Sequence, residues 1–280
     1  KMKAILSLAM LAVGVSGVMA QAHIKAVYTE TSRNLHATDT VKSKEMTLVS
    51  GLNRSFYFNE MSQYCDSMDS TPEGKKKLQE VQLAAWMTTS PDGSISIDMR
   101  RGNAPRKTVY TYVEKDFANG NVTVYDKWGG EQGVYSEPLH EQEWTITGDS
   151  VKTVLGYDCV LAECDYHGRH WRAWFSPEIP VQDGPWKLGG LPGLILSADG
   201  GNSFTFEIKG LENYDGSIGS VYNKDSYQKV DRKKALENEE YYANNMESVL
   251  RAQGVTLKMP ANATPPKFEA HLHSIEPDYK

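Results

Sequence analysis

The chain has 280 residues, 40% of them hydrophobic, which is enough to bury the core of one large domain or two small ones. Its 36 acidic residues against 30 basic ones give a net charge of −6, a balance that argues against nucleic acid or an anionic membrane as the main partner. Six tryptophans, fifteen tyrosines and many Val/Thr-rich runs favour β structure.

Lys1 and Lys3 precede an uncharged apolar run over residues 4–20 that ends in Val18-Met19-Ala20. Such a run is short for a bilayer span and ends in residues that signal peptidase accepts, so 1–20 reads as a secretory signal peptide cleaved near Ala20. The mature chain is then an exported protein of the periplasm or cell envelope. Without Lys1 and Lys3 it keeps 28 basic residues against 36 acidic, a net of −8. No later stretch is long and apolar enough to span, so no transmembrane segment is expected after cleavage.

Strands are expected over 23–31, 44–51 and 54–60, separated by Asp/Asn/Gly breaks. A helix follows, capped by Ser70 or Thr71, with Pro72 in its first turn and an apolar stripe of Leu78, Val81 and Ala85. Strands resume over 94–100, 107–115 and 121–127. In the second of these, alternation places Tyr110 and Tyr112 on one face and Val109, Thr111 and Val113 on the other. Residues 142–176 give two or three long antiparallel strands, with turns at Gly148-Asp149 and Gly168-Arg169. A further strand covers 203–212, and Asp231 opens a helix with a Leu236, Ala243, Met246, Leu250 stripe that Gly254 closes.

Helices placed between runs of strands exclude a doubly wound parallel sheet. The expected fold is α+β and mainly β: one strongly bent antiparallel sheet, or a half-open barrel, with two helices packed against it. Residues 21–258 form the single domain and 259–280 an extended tail.

Three cysteines, Cys65, Cys159 and Cys164, leave at least one thiol free in a monomer. On one extended strand Cys159 and Cys164 sit roughly 16 Å apart on opposite faces, so either pairs with Cys65 more easily than with the other, unless a bulge or bend intervenes.

The stretch "GPWKLGGLPGLIL", residues 184–196, is too rich in glycine for a strand and too rich in proline for a helix. It lacks the Lys-Ser/Thr pair of a phosphate loop and leads into a strand instead of a helix, which excludes a nucleotide cradle. Leu191-Pro192-Gly193-Leu194 fits a type II turn, with Pro192 supplying its fixed φ and Gly193 a positive one. The expectation is a structural corner, with a second at Gly184-Pro185.

No Gly-x-Ser-x-Gly elbow and no His-Glu-x-x-His occurs, and "GDSVK" lies in a predicted hairpin. His271 and His273 share one side of an extended segment, a spacing that can chelate a metal, with His167 plus His170 or Glu269 to complete the shell. Trp171 and Trp174 differ by three and so face opposite sides of a strand, and Trp186 follows at the Gly-Pro turn. These rings build either a core or a concave, aromatic-lined surface for a peptide, glycan or lipid moiety.

Residues 155–196, with "LGYDC", "HGRHWRAWFSPEIP" and "DGPWKLGGLPGLIL", resemble the GLPGLI family of exported Bacteroidota proteins, named after the hexapeptide at 190–195 here. Its hallmarks fall on Gly156, Tyr157 and Cys159, on Gly168 and Arg169, on Trp174, Phe175, Ile179 and Pro180, on Gly184, Pro185 and Lys187, and on Gly190, Leu191, Pro192, Gly193, Leu194 and Ile195. The resemblance implies a periplasmic or envelope protein of unassigned activity, often encoded beside TonB-dependent outer-membrane receptors. It supplies no catalytic residues and implies no cofactor.

The expected function is a non-enzymatic binding or accessory protein for a peptide, lipid or protein partner. Arg169, Trp171, Trp174, Trp186 and Lys187 are the candidate ligand contacts. The alternatives are a periplasmic hydrolase built from scattered His, Asp and Glu, and a metal-handling protein that uses His271 and His273.

Overall fold

The computed structural model describes residues 23–34, 40–100, 104–139, 141–201, 203–252, 254 and 274–280. The proposed signal peptide, His271, His273 and Glu269 lie outside the described residues.

The chain starts with β1 (Ile24–Asn34), β2 (Thr40–Ser50) and β3 (Arg54–Phe58), followed by α1 (Glu60–Asp69), α2 (Pro72–Trp86) and the short pair β4 (Met87–Thr89) and β5 (Ile95–Ile97). Strands β6 (Tyr112–Asp116), β7 (Asn121–Trp128), β8 (Glu131–Pro138), β9 (Thr145–Val154), β10 (Tyr157–Tyr166) and β11 (Arg169–Ser176) come next. After a long loop come β12 (Leu194–Asp199), β13 (Phe204–Asn213), β14 (Gln228–Lys229) and α3 (Arg232–Ala252). Twelve strands form one sheet in the order β14-β8-β7-β6-β3-β2-β1-β13-β12-β11-β10-β9, while β4 and β5 pair only with each other. All pairings are antiparallel except the two-residue contact of β14 with β8. The sheet is bent and does not close into a barrel. Bulges at Val27/Tyr28, Val160/Leu161 and Trp174/Phe175 add local twist to it.

Both faces are buried at its centre. Adjacent residues on a strand point to opposite sides. Tyr57 and Val113 accordingly enter the main core, while their neighbours Phe56 and Tyr112 enter a second cluster with Tyr125, Val221 and Tyr227. Helix α1 is tied to the second face by Asp66, which accepts hydrogen bonds from the Tyr112 hydroxyl (2.6 Å) and from Lys107 (2.7 Å). The main core is filled from the other side by the loop between β11 and β12, through Ile179, Val181, Trp186, Leu188 and Leu191.

The expected fold class is thus found, with a third helix, α1, that follows directly on the expected strand 54–60 and was not among the two helices expected. Asn59 caps α1 and Thr71 caps α2, each accepting from a backbone amide three residues on. Asp231 accepts from Lys234 N at 3.0 Å, and Gly254 closes α3 at φ 80°.

Four local expectations fail for identifiable reasons. Gly148-Asp149 lies inside β9; the hairpin instead turns at Leu155-Gly156, both at positive φ (50° and 85°). The strand expected over 107–115 begins only at Tyr112, so Tyr110 is left exposed while Tyr112 is buried; the two rings still share a side, with Lys107 over both, and Val109 and Val113 enter the main core on the other. No disulfide forms: Cys65, Cys159 and Cys164 are all free and buried. Cys159 and Cys164 both lie against the main core, although β10 pairs with β11 through this stretch without a register shift and the bulge opposite Val160 and Leu161 belongs to β9, while Cys65 sits on α1 at the second face; burial pushes the Cys164 thiol up to about 12. The fourth is the type II turn expected at 191–194, which a tighter closure about Pro192 replaces. Of the predicted tail, residues 274–280 return to the body of the protein and bury Glu276 and Tyr279.

Candidate functional site

Residues 177–193 leave β11, cross the core and return to start β12. Seven consecutive residues, Asp183, Gly184, Pro185, Trp186, Lys187, Leu188 and Gly189, are buried without belonging to any helix or named strand. A buried loop is costly unless its polar groups find partners, and here side chains from distant elements supply them. Lys115 of β6 points all three ammonium protons into the loop, to Asp183 Oδ1 (2.6 Å), Gly184 O (2.8 Å) and Leu188 O (2.7 Å). Gln142 donates to Lys187 O at 3.2 Å and Trp144 to Gly189 O at 2.8 Å. The Tyr28 hydroxyl donates to Ile195 O at 2.7 Å. Burial lowers the Lys115 pKa, and Asp183 beside it opposes that shift.

The hexapeptide at 190–195 is a corner, although not a type II turn. Gly193 N donates back to Leu191 O at 2.8 Å, an i to i+2 closure about Pro192, and Leu194 N is taken by Ile179 O at 3.0 Å. Glycine is required at 193 by close approach: a Cβ there would lie 2.1 Å from Ser176 O. Gly184 is similarly closed off, with its Cβ position 2.9 Å from the Ile195 side chain. Pro185 and Leu188 close a turn at 3.1 Å that carries Trp186 at φ 52°.

That turn delivers Lys187 into a second charged cluster. Its ammonium donates to Glu137 (2.5 Å) and to Glu276, and packs against the rings of Trp186 (4.9 Å), Tyr135 and Tyr166 (both 5.4 Å). The Tyr135 and Tyr166 hydroxyls donate to Glu276 (3.0 Å) and Glu137 (2.9 Å). His167, held at φ 50°, lies 3.1 Å from Glu137, 3.4 Å from Glu276 and 3.3 Å from Asp278. Arg232 of α3 grips Asp278 with both terminal nitrogens, at 2.7 and 2.6 Å. Burial alone would raise the Glu137 carboxyl, but His167 and Lys187 outweigh it and hold it at about 2. At Asp278 burial acts in the same direction, and Arg232 and His167 bring that group also to about 2.

Two positive-φ residues other than glycine, His167 and Trp186, thus border one cluster, the kind of placement that strained backbone takes at sites where geometry is over-determined. Glu137, His167 and Glu276 bring one ligand atom each within 4.8 Å of one another, a set with the chemistry of a cation site. The Lys187 ammonium already stands against both carboxylates, so an entering cation would have to displace it. Lys187 retains 1% of its surface and Glu276 3%. The cluster is a sealed clamp that ties the motif loop, β8, the β10–β11 turn, α3 and residues 274–280 together.

Among the candidate ligand contacts, Trp171, Trp186 and Lys187 are buried, and Trp171 stacks between Trp186 (5.7 Å) and Phe206 (5.9 Å). Arg169 is half-buried over Phe204 and donates to Ser274 O at 3.1 Å and Gly200 O at 3.2 Å; burial lowers it to about 10. Trp174 is half-buried on the opposite side of β11 with Lys152 at 5.6 Å. His170 is exposed and pairs with Asp165 at 2.9 Å. Hence the aromatics split between the two sides of the sheet and do not line one concavity. Sequence reasoning missed Glu137, Glu276, Asp278, Arg232 and Lys115, and only the unsatisfied chemistry of a buried lysine could have pointed to them. An open cleft of about 300 Å³ lies elsewhere, where Trp128, Gln132, Gln228, Val230, Ala235 and Asn238 line the seam between the β7–β8 hairpin, β14 and α3.

A family profile described as "Protein of unknown function (Porph_ging)" matches residues 163–197. The matched stretch runs from the middle of β10 through the motif loop into β12. No curated protein matches the chain. Among solved structures, the chain is similar to PNGF-II at 15% identity and a TM-score of 0.49, over 78% of this chain and 32% of that one. It spans about a third of the length of PNGF-II. Weaker likenesses are to MucB in complex with MucA(peri), at 8% identity and a TM-score of 0.25 over 72% and 54% of the two chains, and to the LolA superfamily protein NE2245 from Nitrosomonas europaea, at 7% and 0.27 over 70% and 88%.

Proposed function

We propose that this chain is an exported envelope protein of the GLPGLI type that works by binding a partner, without catalysing a reaction on it. The observation that carries this reading is the sealing of the ionisable groups the fold gathers. Lys115, Asp183, Lys187 and Glu276 are almost wholly withdrawn from solvent and form two ion pairs, Lys115 with Asp183 and Lys187 with Glu276. A general acid, base or nucleophile has to come within hydrogen-bond reach of its substrate, and no substrate reaches these. In a binding protein the same groups have a structural task, which is to hold a buried loop and a bent sheet rigid.

The ligand site on this reading is the cleft at the β7–β8 hairpin and α3, whose apolar floor is Trp128, Val230 and Ala235 and whose amides from Gln132, Gln228 and Asn238 can orient a small polar or peptide group. A place beside TonB-dependent uptake rests on the family resemblance alone. The test is mass spectrometry of small molecules retained by the protein purified from its native envelope. A retained lipid, peptide or sugar that is lost in Asn238→Trp, which fills the cleft, supports the reading. Turnover of ester, amide or glycoside substrates that disappears in His167→Ala, with the melting temperature unchanged, would overturn it.

A further inference from the structure

The hairpin β4–β5 stands outside the large sheet, and it leaves large apolar side chains in water. Met87 lies opposite Ile97 and Thr89 opposite Ile95, so these four share one face, while Thr88 and Ser96 share the other. Both faces are open, the apolar one included: Ile95 is 62% exposed, Ile97 57%, and Met99 just beyond the strand 64%, with Thr88 and Ser96 exposed on the other side. The hairpin is ordered by its own contacts, with Ser90 N donating to Ser94 O, Asp92 accepting from Ser94, and Asp98 N donating to Trp86 O. A lone two-stranded ribbon is marginal in water, and a contiguous exposed apolar patch marks a docking surface.

Helix α2, which feeds the hairpin, continues the pattern. Its expected apolar stripe is only partly used: Leu78 is buried, whereas Val81 and Leu83 face solvent. Val81 lies one turn from Lys77, and Leu83 two turns from Lys76 with Glu80 between them, so the exposed side of the helix mixes apolar and charged side chains in which lysine outnumbers glutamate. Gln82 donates to Pro105 O at 2.7 Å, which brings exposed Arg106 alongside. Lys75, Lys76, Lys77 and Arg106 have no ion-pair partner among the described residues. Residues 72–107 hold seven Lys/Arg against four Asp/Glu, a net of +3 inside a chain of −6.

We propose that α2 and the β4–β5 hairpin form a membrane-docking arm that seats Ile95, Ile97 and Met99 in the interfacial region of an anionic lipid surface while the lysines and arginines meet its headgroups. Charge complementarity selects this occupant: an apolar patch alone would suit a protein partner equally well, but a local excess of cations beside it in an acidic protein matches anionic lipid. The net charge of the whole chain hides the arm, because a charged membrane is felt only within about 10 Å at 0.1 M salt.

The test uses the protein from residue 21 onward, which keeps every described element, in flotation with vesicles of phosphatidylglycerol and phosphatidylcholine or of phosphatidylcholine alone. Binding to the anionic vesicles is expected. It should weaken roughly tenfold or more in Ile95→Ser/Ile97→Ser and in Lys76→Glu/Lys77→Glu, and on raising salt from about 0.05 to 0.5 M, with unchanged melting curves for both variants. No flotation, equal flotation with both vesicle types, or flotation that survives Ile95→Ser/Ile97→Ser would overturn the proposal. A dimer that Ile95→Ser/Ile97→Ser disperses, without vesicle binding, would assign the face to a second copy of the chain instead.

Discussion

The loop at 183–189 and the hairpin at 87–97 place their residues in opposite ways. The loop buries an irregular backbone, two prolines' worth of corners nearby and a fully buried lysine, while the hairpin sets isoleucines in water on a regular ribbon. What separates them is partners. The carbonyls of Gly184, Lys187, Leu188 and Gly189 each accept a hydrogen bond from a side chain outside the loop, so burial costs them little, and the apolar rings around the loop gain from exclusion of water. Among the described residues, the hairpin face leaves Ile95 and Ile97 more than half exposed. Hydropathy ranks residues; the contacts available in the folded chain decide where they go.

The loop is most sensitive at Gly193. Valine there must push aside the Ser176 carbonyl, and a loss of on the order of 4 kcal/mol or more is expected, read as failure to fold or a collapse of the denaturant midpoint. Next comes Lys115→Ala, which strands the Asp183 carboxylate in the core and is expected to cost about 3 to 5 kcal/mol; Lys115→Ala/Asp183→Ala should recover part of that, and a double variant no more stable than the single one would refute the pairing.

Acid should act on the clamp before it acts on the arm. Glu137 and Asp278 have carboxyls held at about 2, below their ordinary values of 4.5 and 3.8. Groups depressed in the folded state contribute stability that is full above those ordinary values and is lost as pH falls toward 2, on the order of 2 to 3 kcal/mol for Glu137 and less for the more exposed Asp278, where solvent screens the pair. A melting temperature that declines over this window in the native chain, and declines less in Glu137→Gln, is the expected record. The smallest effect belongs to the hairpin: Ile95→Ser/Ile97→Ser should shift stability by no more than about 0.5 kcal/mol, because it uncovers nothing. A large loss there would mean that the face is already covered in the folded protein.

Local signals in the chain were readable where a single element satisfies them. Thr71 with Pro72, Asp231 and Gly254 mark helix ends because each serves its own first or last turn. The alternation of Trp171, Ala173 and Phe175 against His170, Arg172 and Trp174 put each side chain on its proper side of β11. Turn chemistry was readable less often: Gly148-Asp149 has turn composition but lies in a strand that pairs with β10 through Thr147 and Val151. The candidate ligand set was drawn from rings and cations close in sequence, and it scattered because neighbours on a strand face opposite ways.

By itself the sequence determined the β-rich class, the antiparallel strands, most helix caps and the position of a corner at Pro192-Gly193, since these depend on backbone preference and side-chain period. Only the tertiary structure decided that the corner plugs the core, that Lys115 meets Asp183 across 68 positions, and that Lys187 joins Glu137 to Glu276 across 139. Those pairings follow from the order of strands in the sheet. Periodicity records only which side of a strand a residue faces, and carries no information about which distant strand will stand beside it.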